Sequence, residues 1–345
     1  MPDTIPPFPT IDLLDAAAMT AARDRWATRA KPPGSLGRLE DLAVHLAGIT
    51  GTCPAPPIQR PAIVVFAADH GVVSDGASAW PSQITALMVQ TMSHGGAAIN
   101  AFAAVTNAEV HIVDVGVNAD LSHLEGIHHY KVRPGTDSIA QGPAMSRGDA
   151  ARAIEVGRIF GENLIAAGVD CLVGGDMGIG STTPSAALIG ALTGTPAHLV
   201  TGVGAGLPVE RLPNKQALIG SAIERAKQHH NPLDLLAEIG GLEIAALAGL
   251  YIAAASNNTP FILDGVIAVA AACVAEALAP GTAARSIAGH LSSEPAAAIA
   301  LHHLGLAPLL DLDLRLGEGT GACLAIPLLK AAIAALTHMA DLPHQ

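Results

Sequence analysis

The chain has 345 residues, of which 50% are hydrophobic, 14% are charged and only 3% are aromatic. This length allows about two domains of ordinary size, or one large domain with an appendage. The formal net charge is −12 and the sequence contains no cluster of Lys and Arg, so neither nucleic acid nor an anionic membrane is an expected partner.

The sequence gives no sign of export or of membrane insertion. Its start, MPDTIPPFPTIDLLD, lacks the basic segment and apolar run of a secretory signal. The most apolar segments, such as residues 265–275, end at a charge well short of the roughly 20 residues that span a membrane. Cys53, Cys171, Cys273 and Cys323 have no CxxC spacing and are expected to be reduced thiols. We therefore expect a cytoplasmic protein.

In chain order, two helices are predicted first, over residues 11–29 and 39–49. From residue 63 onwards, short β-branched runs alternate with longer Ala-rich stretches, a pattern that indicates βαβ units and a mainly parallel sheet. Strands are predicted over residues 63–67, 110–115, 171–173, 198–201, 261–263, 286–288 and 309–314, and helices between them include residues 152–167, 244–255, 266–277 and 322–336.

The expected fold class is α/β, with a mainly parallel sheet flanked by helices in a Rossmann-like large domain and a smaller helical domain. Residues 1–55 are predicted to supply N-terminal helices of the small domain. Residues 56–320 are predicted to form the large domain with the active site. The C-terminal helix in residues 321–345 is expected to pack with the small domain.

Polar residues beside glycine recur where the predicted strands end. Turn chemistry alone explains any one such pair. Seven of them favour a ligand pocket, because ligands of open α/β sheets bind at the carboxyl edge. The seven sites are Asp69-His70-Gly71, Asp114-Val115-Gly116, Gly174-Gly175-Asp176, Thr201-Gly202, Asp264-Gly265, Gly289-His290 and Gly317-Glu318-Gly319.

The segment GGDMGIGSTTP, residues 174–184, is a glycine-rich loop that leads into a helix. Thr183 followed by Pro184 is typical of a helix cap and first helical position, and free N–H groups at such a start attract phosphate. The spacing matches neither GxxxxGK[ST] nor GxGxxG. No acidic residue lies between Asp176 and Glu210, which argues against an NAD site.

Three further residues could assist with phosphate. A second glycine loop, TGVGAGL, precedes Lys215. A single lysine is usually a solvated surface charge, but near two glycine loops in an acidic protein it is a reasonable phosphate counter-ion. Ser292 and Ser293 of GHLSSEP offer hydroxyl groups, although each taken singly fits a helix cap better than a ligand.

Other site types have weaker support. Adjacent histidine pairs, such as residues 128–129, do not give the HExxH geometry, so a metal site is possible but unsupported. No GxSxG nucleophile motif is present. The segment LRLGEGTG places Glu318 between two glycines, where it either decorates an exposed turn or faces something bound.

Several long motifs together carry a family resemblance. In order they are KPPGSLGRLEDLA, AADHGVVSDGASAWP, HGGAAIN, GGDMGIGSTTPSAAL, GGLEIAALAG, ILDGVIAVAA and LRLGEGTGA. From Lys31 to Leu336 the chain resembles the nicotinate-nucleotide–dimethylbenzimidazole phosphoribosyltransferase family. The resemblance implies a large domain with a parallel sheet, a smaller helical domain and a homodimer.

The resemblance also implies a reaction. Phosphoribose passes from nicotinate mononucleotide to dimethylbenzimidazole, giving α-ribazole phosphate, part of the lower ligand of cobalamin, and free nicotinate. Glu318 is the implied general base: it takes a proton from one ring nitrogen while the other attacks the anomeric carbon opposite nicotinate, with inversion. The leaving group is a cationic pyridinium and needs no general acid, so no metal or cofactor is expected.

The resemblance assigns substrate contacts to individual positions. Ser78 and Leu316 match residues that line the aromatic base pocket, with Met177 as a neighbour. Asp176 stands where the family generally has Glu, and Leu87 where it often has Gln beside the base. The phosphate and nucleotide contacts correspond to Gly178, Ile179, Gly180, Lys215 and Ser292.

Three alternatives remain open at this point. The first keeps fold and donor but uses another acceptor, such as a different benzimidazole, a purine or a phenol, the last being consistent with the apolar Leu87. The second is a non-catalytic nucleotide sensor, which would have no need of Glu318. The third, an NAD-dependent oxidoreductase, is the weakest. The roles of Asp69 and His70 are not determined by the sequence.

Overall fold

Short strands alternate with longer helices along the chain, in a computed structural model that describes residues 8–342. The ends of the predicted segments 1–55 and 321–345, and part of the N-terminal stretch without a signal pattern, therefore lie outside the described residues. Within residues 8–342 the strands are β1 (Pro61–Ala68), β2 (Glu109–Gly116), β3 (Ile127–His129), β4 (Cys171–Met177), β5 (Phe261–Leu263), β6 (Ser286–Ala288), β7 (His290–Leu291) and β8 (Leu310–Asp311). The helices are α1 (Ala16–Thr28), α2 (Arg38–Thr50), α3 (Gln83–Ser93), α4 (Ala98–Thr106), α5 (Arg147–Ala166), α6 (Thr182–Thr193), α7 (Ala197–Val200), α8 (Leu212–Ala226), α9 (Pro232–Ile239), α10 (Leu242–Ser256), α11 (Val266–Leu278), α12 (Pro295–His303) and α13 (Thr320–His338).

The strands from β1 to β6 form one sheet in the order β3-β2-β1-β4-β5-β6, and all their pairings are parallel. This confirms the expected α/β class with a mainly parallel sheet flanked by helices. The strand order reverses between β1 and β4. In open sheets of this kind a crevice forms at that point, outside the carboxyl ends of the strands.

Both faces of the sheet are covered, which explains why the strands are apolar throughout. All eight residues of β1 are buried. Val64 and Phe66 belong to an apolar cluster with α5, α10 and α11, whereas Ile63 and Val65 belong to a second cluster with α1, α2, α4 and α13. The period of two along β1 therefore joins two helical layers through one strand.

The chain's first and last described helices are tied together by arginines. Arg29 Nη1 donates to the main-chain oxygen of Met339 at 2.7 Å, and Arg29 Nη2 donates to that of Leu336 at 2.8 Å. Arg25 Nε donates to the same Leu336 oxygen at 2.9 Å. These bonds satisfy carbonyl groups that the last turn of α13 leaves free. The predicted division into two domains stays a prediction.

Helix α13 is the one helix in the described part of the chain that is long and apolar enough to cross a membrane. It is longer than the apolar segments noted in the sequence. More than half of its most apolar stretch is buried inside the protein. A core helix meets the same length and composition criteria, so this finding is weak evidence for a membrane span.

Two predicted strands are wrong. Residues 198–201 fall in the short helix α7 and its cap, where Thr201 Oγ1 donates to the main-chain oxygen of Ala197 at 2.7 Å. The predicted strand 309–314 shrinks to β8, which pairs with β7 outside the main sheet, because Asp313 takes a left-handed φ of 55° that ends the extended run. Edge strand β3 was not predicted from the sequence.

The glycine-rich segment also differs from its prediction. Strand β4 continues through Asp176 to Met177, so the first part of GGDMGIG belongs to the sheet. The N-cap position of helix α6 is Ser181 and not Thr183. The first helical residue is therefore Thr182 instead of Pro184. The helix start therefore lies closer to the end of β4 than the Thr-Pro pair indicated.

Helices α5 and α10 cross in close contact through glycines. A Cβ atom added to Gly157 would lie 1.8 Å from the main-chain oxygen of Ala246, and one added to Gly249 would lie 1.9 Å from that of Ile154. Both contacts are with backbone, which cannot rotate away. A side chain at either position would force the helices apart.

We expect Gly157→Ala to lower the free energy of unfolding by about 3 kcal/mol, because overpacking against backbone separates α5 from α10. The measurement is urea denaturation followed by circular dichroism. The control is Gly220→Ala in α8, where an added Cβ would make an ordinary 3.6 Å contact with Ala197. Equal midpoints for the two variants would contradict this account of the crossing.

Candidate active site

A cleft lies at the carboxyl edge of the sheet, beside the point where the strand order reverses. Its empty space amounts to about 770 Å³, a figure that includes open solvent. The lining comes from residues 77–79, 176–182, 203–205, 265–267 and 315–317, together with His290, Ser292 and Glu294.

Glu318 sits in a turn that only glycine neighbours allow. Its φ is 62°, and those of Gly317 and Gly319 are 87° and 84°. The Glu318 N–H donates to the main-chain oxygen of Asp176 at 3.1 Å. A Cβ added to Gly175 would lie 2.6 Å from the Glu318 carbonyl carbon. The glycines on both sides of this contact thus let the turn lie directly against β4.

The Glu318 carboxyl group is buried and faces the start of α4. Its Oε2 accepts a hydrogen bond from the N–H of Ile99 at 3.2 Å. Burial raises the pKa of this carboxyl group, the Ile99 hydrogen bond lowers it, and the charge of Asp264 raises it further, with a net increase. In the chain, Glu318 directly follows Gly317, which lines the cleft.

Asp176 belongs to a group of buried acidic residues around Glu318. Burial raises the pKa of Asp176 well above its ordinary value, and the charges of Asp264, Glu243 and Glu318 raise it further. Within residues 8–342, no group forms a hydrogen bond with its Oδ1. Asp176 is therefore the member of the group that most readily holds a proton.

Asp264 differs from Asp176, because both of its carboxylate oxygens accept hydrogen bonds from backbone N–H groups. Its Oδ2 accepts from the N–H of Gly319 at 3.2 Å, and its Oδ1 accepts from the N–H of Ala322 at 2.9 Å. His290 Nε2 lies 3.3 Å from Oδ1. Asp264 thus fixes the start of α13 directly after the turn that contains Glu318.

The anion-binding features predicted from the sequence come together on one side of the cleft. The first turns of α6 and α11 both line it. In α6 the Thr183 N–H donates to the Gly180 oxygen and Pro184 has no N–H, so Thr182 supplies the free N–H of that turn, whereas the first-turn N–H groups of α11 have no partner within the helix. Ser292 is a buried lining residue. Gly178 has no room for a side chain, because an added Cβ would lie 2.4 Å from the main-chain oxygen of Ala68.

Lys215 is buried behind this part of the cleft. Its Nζ donates to Thr182 Oγ1 and to the main-chain oxygen of Gly202, both at 2.9 Å. Burial lowers the pKa of Lys215 to about 8, although the charge of Glu294 acts to raise it. Glu294 Oε1 in turn accepts from the N–H of Gly204 at 2.7 Å.

The loop that contains Gly202 and Gly204 is held from both sides of the cleft. Arg315 Nη1 donates to the Gly204 oxygen at 2.8 Å. Trp80 Nε1 donates to the Ala205 oxygen at 3.0 Å. These contacts connect the segments on either side of the cleft mouth.

Most predicted site residues lie around this cleft. Lys215 and Glu318 are buried directly behind its lining. Leu87 does not line the cleft: it lies on α3 with 53% of its surface exposed. The predicted residues that line it are Ser78, Asp176, Met177, Gly178, Ile179, Gly180, Ser292 and Leu316.

Sequence reasoning did not select several buried polar residues of the site. Asp264 and His290 stood among the polar strand ends and could have been chosen on that signal. Glu294 and Glu243 carried no separate signal, because each looks like an ordinary residue of a helix start. Within residues 8–342, no group of three or more His, Cys, Asp or Glu side chains is arranged to hold a metal ion.

Comparisons with known proteins agree on one family. A family model described as a phosphoribosyltransferase matches residues 11–344. Over 328 residues the chain is 47% identical to the nicotinate-nucleotide–dimethylbenzimidazole phosphoribosyltransferase of Desulforudis audaxviator, covering 95% of this chain and 93% of the relative. The enzyme of that name from Thermus thermophilus is 46% identical over 327 residues, covering 95% of this chain and 97% of the relative.

A solved structure gives the same result. The crystal structure of CobT from Thermus thermophilus matches with a TM-score of 0.91 and 46% identity, covering 94% of this chain and 97% of that chain. The chain therefore belongs to the nicotinate-nucleotide–dimethylbenzimidazole phosphoribosyltransferase family, and the protein is a pentosyltransferase. This confirms the resemblance found in the sequence.

Asp176→Asn should raise the free energy of unfolding at neutral pH, because it removes a buried group whose ionisation is costly. The folded-state pKa of Asp176 lies above its ordinary value of 3.8. Wild type therefore loses stability as pH rises from about 4 through the folded-state pKa, and the variant should not lose this part. Denaturant titrations across pH measure the difference.

The matched control is Asp264→Asn. Its amide group would place N–H against one of the backbone N–H groups that Asp264 now accepts, so stability should fall. A stabilised Asp264→Asn, or an Asp176→Asn whose gain over wild type does not grow with pH, would contradict the described charge distribution.

Proposed function

We propose that the protein transfers phosphoribose from nicotinate mononucleotide to dimethylbenzimidazole, giving α-ribazole phosphate and nicotinate, with Glu318 as general base. The substrates are those that the names of the relatives state. One observation carries the proposal for Glu318: a buried carboxyl group of raised pKa lies behind the wall of a cleft that offers phosphate-binding groups. Such a group is suited to take a proton at neutral pH.

The donor's phosphate would bind on the side of the cleft formed by the starts of α6 and α11. First-turn N–H groups there favour an anion, and Ser292 adds a hydroxyl group. Lys215, placed behind Thr182, adds a positive charge to the same region. With the phosphate bound there, the anomeric carbon of the donor would point towards Gly317 and Glu318.

The transfer needs one base and no acid. One ring nitrogen of the acceptor attacks the anomeric carbon, and the bond between that carbon and the pyridinium nitrogen breaks. The ring nitrogen keeps the bonding electron pair and loses its positive charge, and the ring leaves as nicotinate. Glu318 takes the proton from the acceptor's other nitrogen. Attack opposite the leaving group inverts the β-nucleotide and gives an α-riboside.

Asp176 would serve Glu318 through its charge state. Its pKa is raised by the neighbouring carboxylates, so a proton on Asp176 removes one negative charge from the surroundings of Glu318. Its Oδ1 and the carboxyl group of Glu318 belong to adjacent segments, joined by the hydrogen bond from the Glu318 N–H to the Asp176 oxygen. A direct contact between Asp176 and substrate is not needed for this role.

The acceptor would bind between Ser78, Met177 and Leu316, all at the cleft. Leu316 has 57% of its surface exposed, so this side is open in the single chain. The exposed Leu87 lies outside the lining, and its effect on acceptor choice stays a prediction. A second candidate keeps donor and base but uses another benzimidazole, a purine or a phenol.

A cytoplasmic location and a homodimer also stay predictions. Large apolar side chains are exposed beside the cleft, including Trp80 at 51%. A partner subunit would cover such surface, and light scattering of the purified protein measures the subunit number directly. A non-catalytic sensor is disfavoured, because burial of Glu318 among acidic groups lowers stability without serving binding.

We expect Glu318→Gln to reduce product formation by about 10²–10⁴-fold, the usual contribution of a positioned base. The assay combines nicotinate mononucleotide with dimethylbenzimidazole without added metal and separates products by chromatography. Glu125→Gln, at an exposed position, is the control and should keep full activity.

Three outcomes separate the alternatives. Wild type that releases nicotinate only with another acceptor would assign that acceptor instead. Wild type that binds the nucleotide but accepts no base would favour the sensor. A fully active Glu318→Gln would remove the base role and leave the transfer reaction standing.

Nucleotide binding should weaken as pH rises through about 8, because Lys215 then loses the charge that favours phosphate. Lys215→Met should weaken binding by about 1.5–3 kcal/mol at pH 7 and should remove the part of the pH dependence that is centred near pH 8. Calorimetry of nicotinate mononucleotide at pH 7 to 9 provides the test, with the exposed Lys227→Met as control. A Lys215→Met variant that binds like wild type at pH 7 would rule out the counter-ion role.

A further inference from the structure

A buried pair of a histidine and a glutamate lies next to the turn of residues 178–180, which lines the cleft. The imidazole of His70, at the end of β1, and the carboxylate of Glu243, in the first turn of α10, are both almost completely inaccessible. His70 Nε2 is 2.7 Å from Glu243 Oε1. His70 takes no part in the chemistry proposed above, and Glu243 enters it only through its charge, which raises the pKa of Asp176.

Glu243 depends on His70 for its charge balance. Within the described residues, neither of its carboxylate oxygens accepts a hydrogen bond from another group. The position in the first turn of α10 favours a negative charge, and the imidazolium is the cation in contact with it. The other carboxylate close to His70 is Asp69, whose Oδ2 accepts from the N–H of Asn118 at 2.8 Å.

His70 is also fixed by its contacts with three glycines. A Cβ added to Gly241, the cap of α10, would lie 2.6 Å from His70 Cε1. A Cβ on Gly178 would lie 3.2 Å from His70 Nε2, and one on Gly180 would lie 3.6 Å from His70 Cβ. The imidazole is therefore packed between the start of α10 and the turn of residues 178–180, which lines the cleft.

We propose that His70, paired with Glu243, is a positioning residue that holds the Gly178–Gly180 turn in the conformation that binds the phosphoribose of the donor. The inference rests on the proposed function only for the identity of that donor. The side chain acts through the glycine turn and does not touch the reacting atoms. Glu243 supplies the charge that keeps the imidazole protonated and in place.

The proposed role of His70 predicts an effect on donor binding and little effect on the catalytic step. Burial lowers the pKa of His70, but the Glu243 contact outweighs it and the pKa is raised overall. The contact with Glu243 therefore favours the imidazolium, which is lost as pH rises through the raised value. Loss of the ion pair should weaken donor binding, while the turnover at saturating donor should change little, because Glu318 is untouched.

The test measures binding and turnover in His70→Gln, Glu243→Gln and the double variant. The double variant has two uncharged side chains that can still hydrogen-bond, so it should keep the fold if a single variant does not. Calorimetry uses nicotinate mononucleotide and ribose 5-phosphate as probes. We expect each variant to raise the Kd of both probes about tenfold, which corresponds to about 1.4 kcal/mol, and the kcat of His70→Gln to stay within about threefold of wild type. His45→Gln, in α2, is the matched control and should leave the Kd unchanged.

A pH profile distinguishes a charge effect from loss of packing. In Glu243→Gln the imidazolium should be lost at lower pH, so the rise in Kd should begin at lower pH than in wild type. Glu243 also raises the pKa of Asp176. Glu243→Gln is therefore also made in the His70→Gln background, where it should not shift further the pH at which the Kd begins to rise.

The outcomes distinguish this inference from the proposed function. Unchanged Kd values in the double variant, or a drop in kcat without a change in Kd, would overturn the role of His70. Wild type that binds ribose 5-phosphate through His70 but makes no α-ribazole phosphate would keep this inference and reject the reaction. Wild type that binds neither probe would reject both.

Discussion

The close approach of the Gly317–Gly319 turn to the end of β4 determines the arrangement of the site. No side chain fits at Gly175, and the turn itself requires left-handed backbone at three successive residues. The hydrogen bond from Glu318 to the Asp176 oxygen then joins the two segments that carry the acidic side chains. Asp264 holds the following helix start through two backbone N–H groups, so the backbone on both sides of Glu318 is held in place.

This geometry concentrates negative charge in a protein that is already acidic. The charge is distributed unequally: Asp264 accepts two backbone hydrogen bonds, whereas Asp176 has a buried oxygen with no hydrogen-bond partner among residues 8–342 and a pKa raised well above its ordinary value. Two buried groups that can carry a positive charge lie near the turn of residues 178–180: Lys215 behind the start of α6, and His70 against Gly178. The site is thus divided into a region suited to accepting a proton and a region suited to binding an anion.

The sequence predicted the fold class and most of the cleft, because both depend on local patterns. Alternating apolar strands and Ala-rich helices indicate a parallel sheet, and glycine beside polar residues marks its carboxyl edge. What it could not predict depends on distant partners. The β-branched run at residues 198–201 has no strand to pair with and becomes a helix. Glu243 becomes part of the site only because α10 begins next to His70, and Leu87 lies outside the cleft because α3 presents it to solvent.

The most direct test of the central claim is a crystal structure of Glu318→Gln with nicotinate mononucleotide and dimethylbenzimidazole bound. The account predicts the phosphate between the starts of α6 and α11, near Ser292, and an acceptor ring nitrogen within hydrogen-bond distance of the side chain at position 318, about 3 Å. That side chain would have to leave its contact with Ile99. A phosphate bound elsewhere, or a side chain that stays on Ile99 while both substrates are in place, would contradict the account.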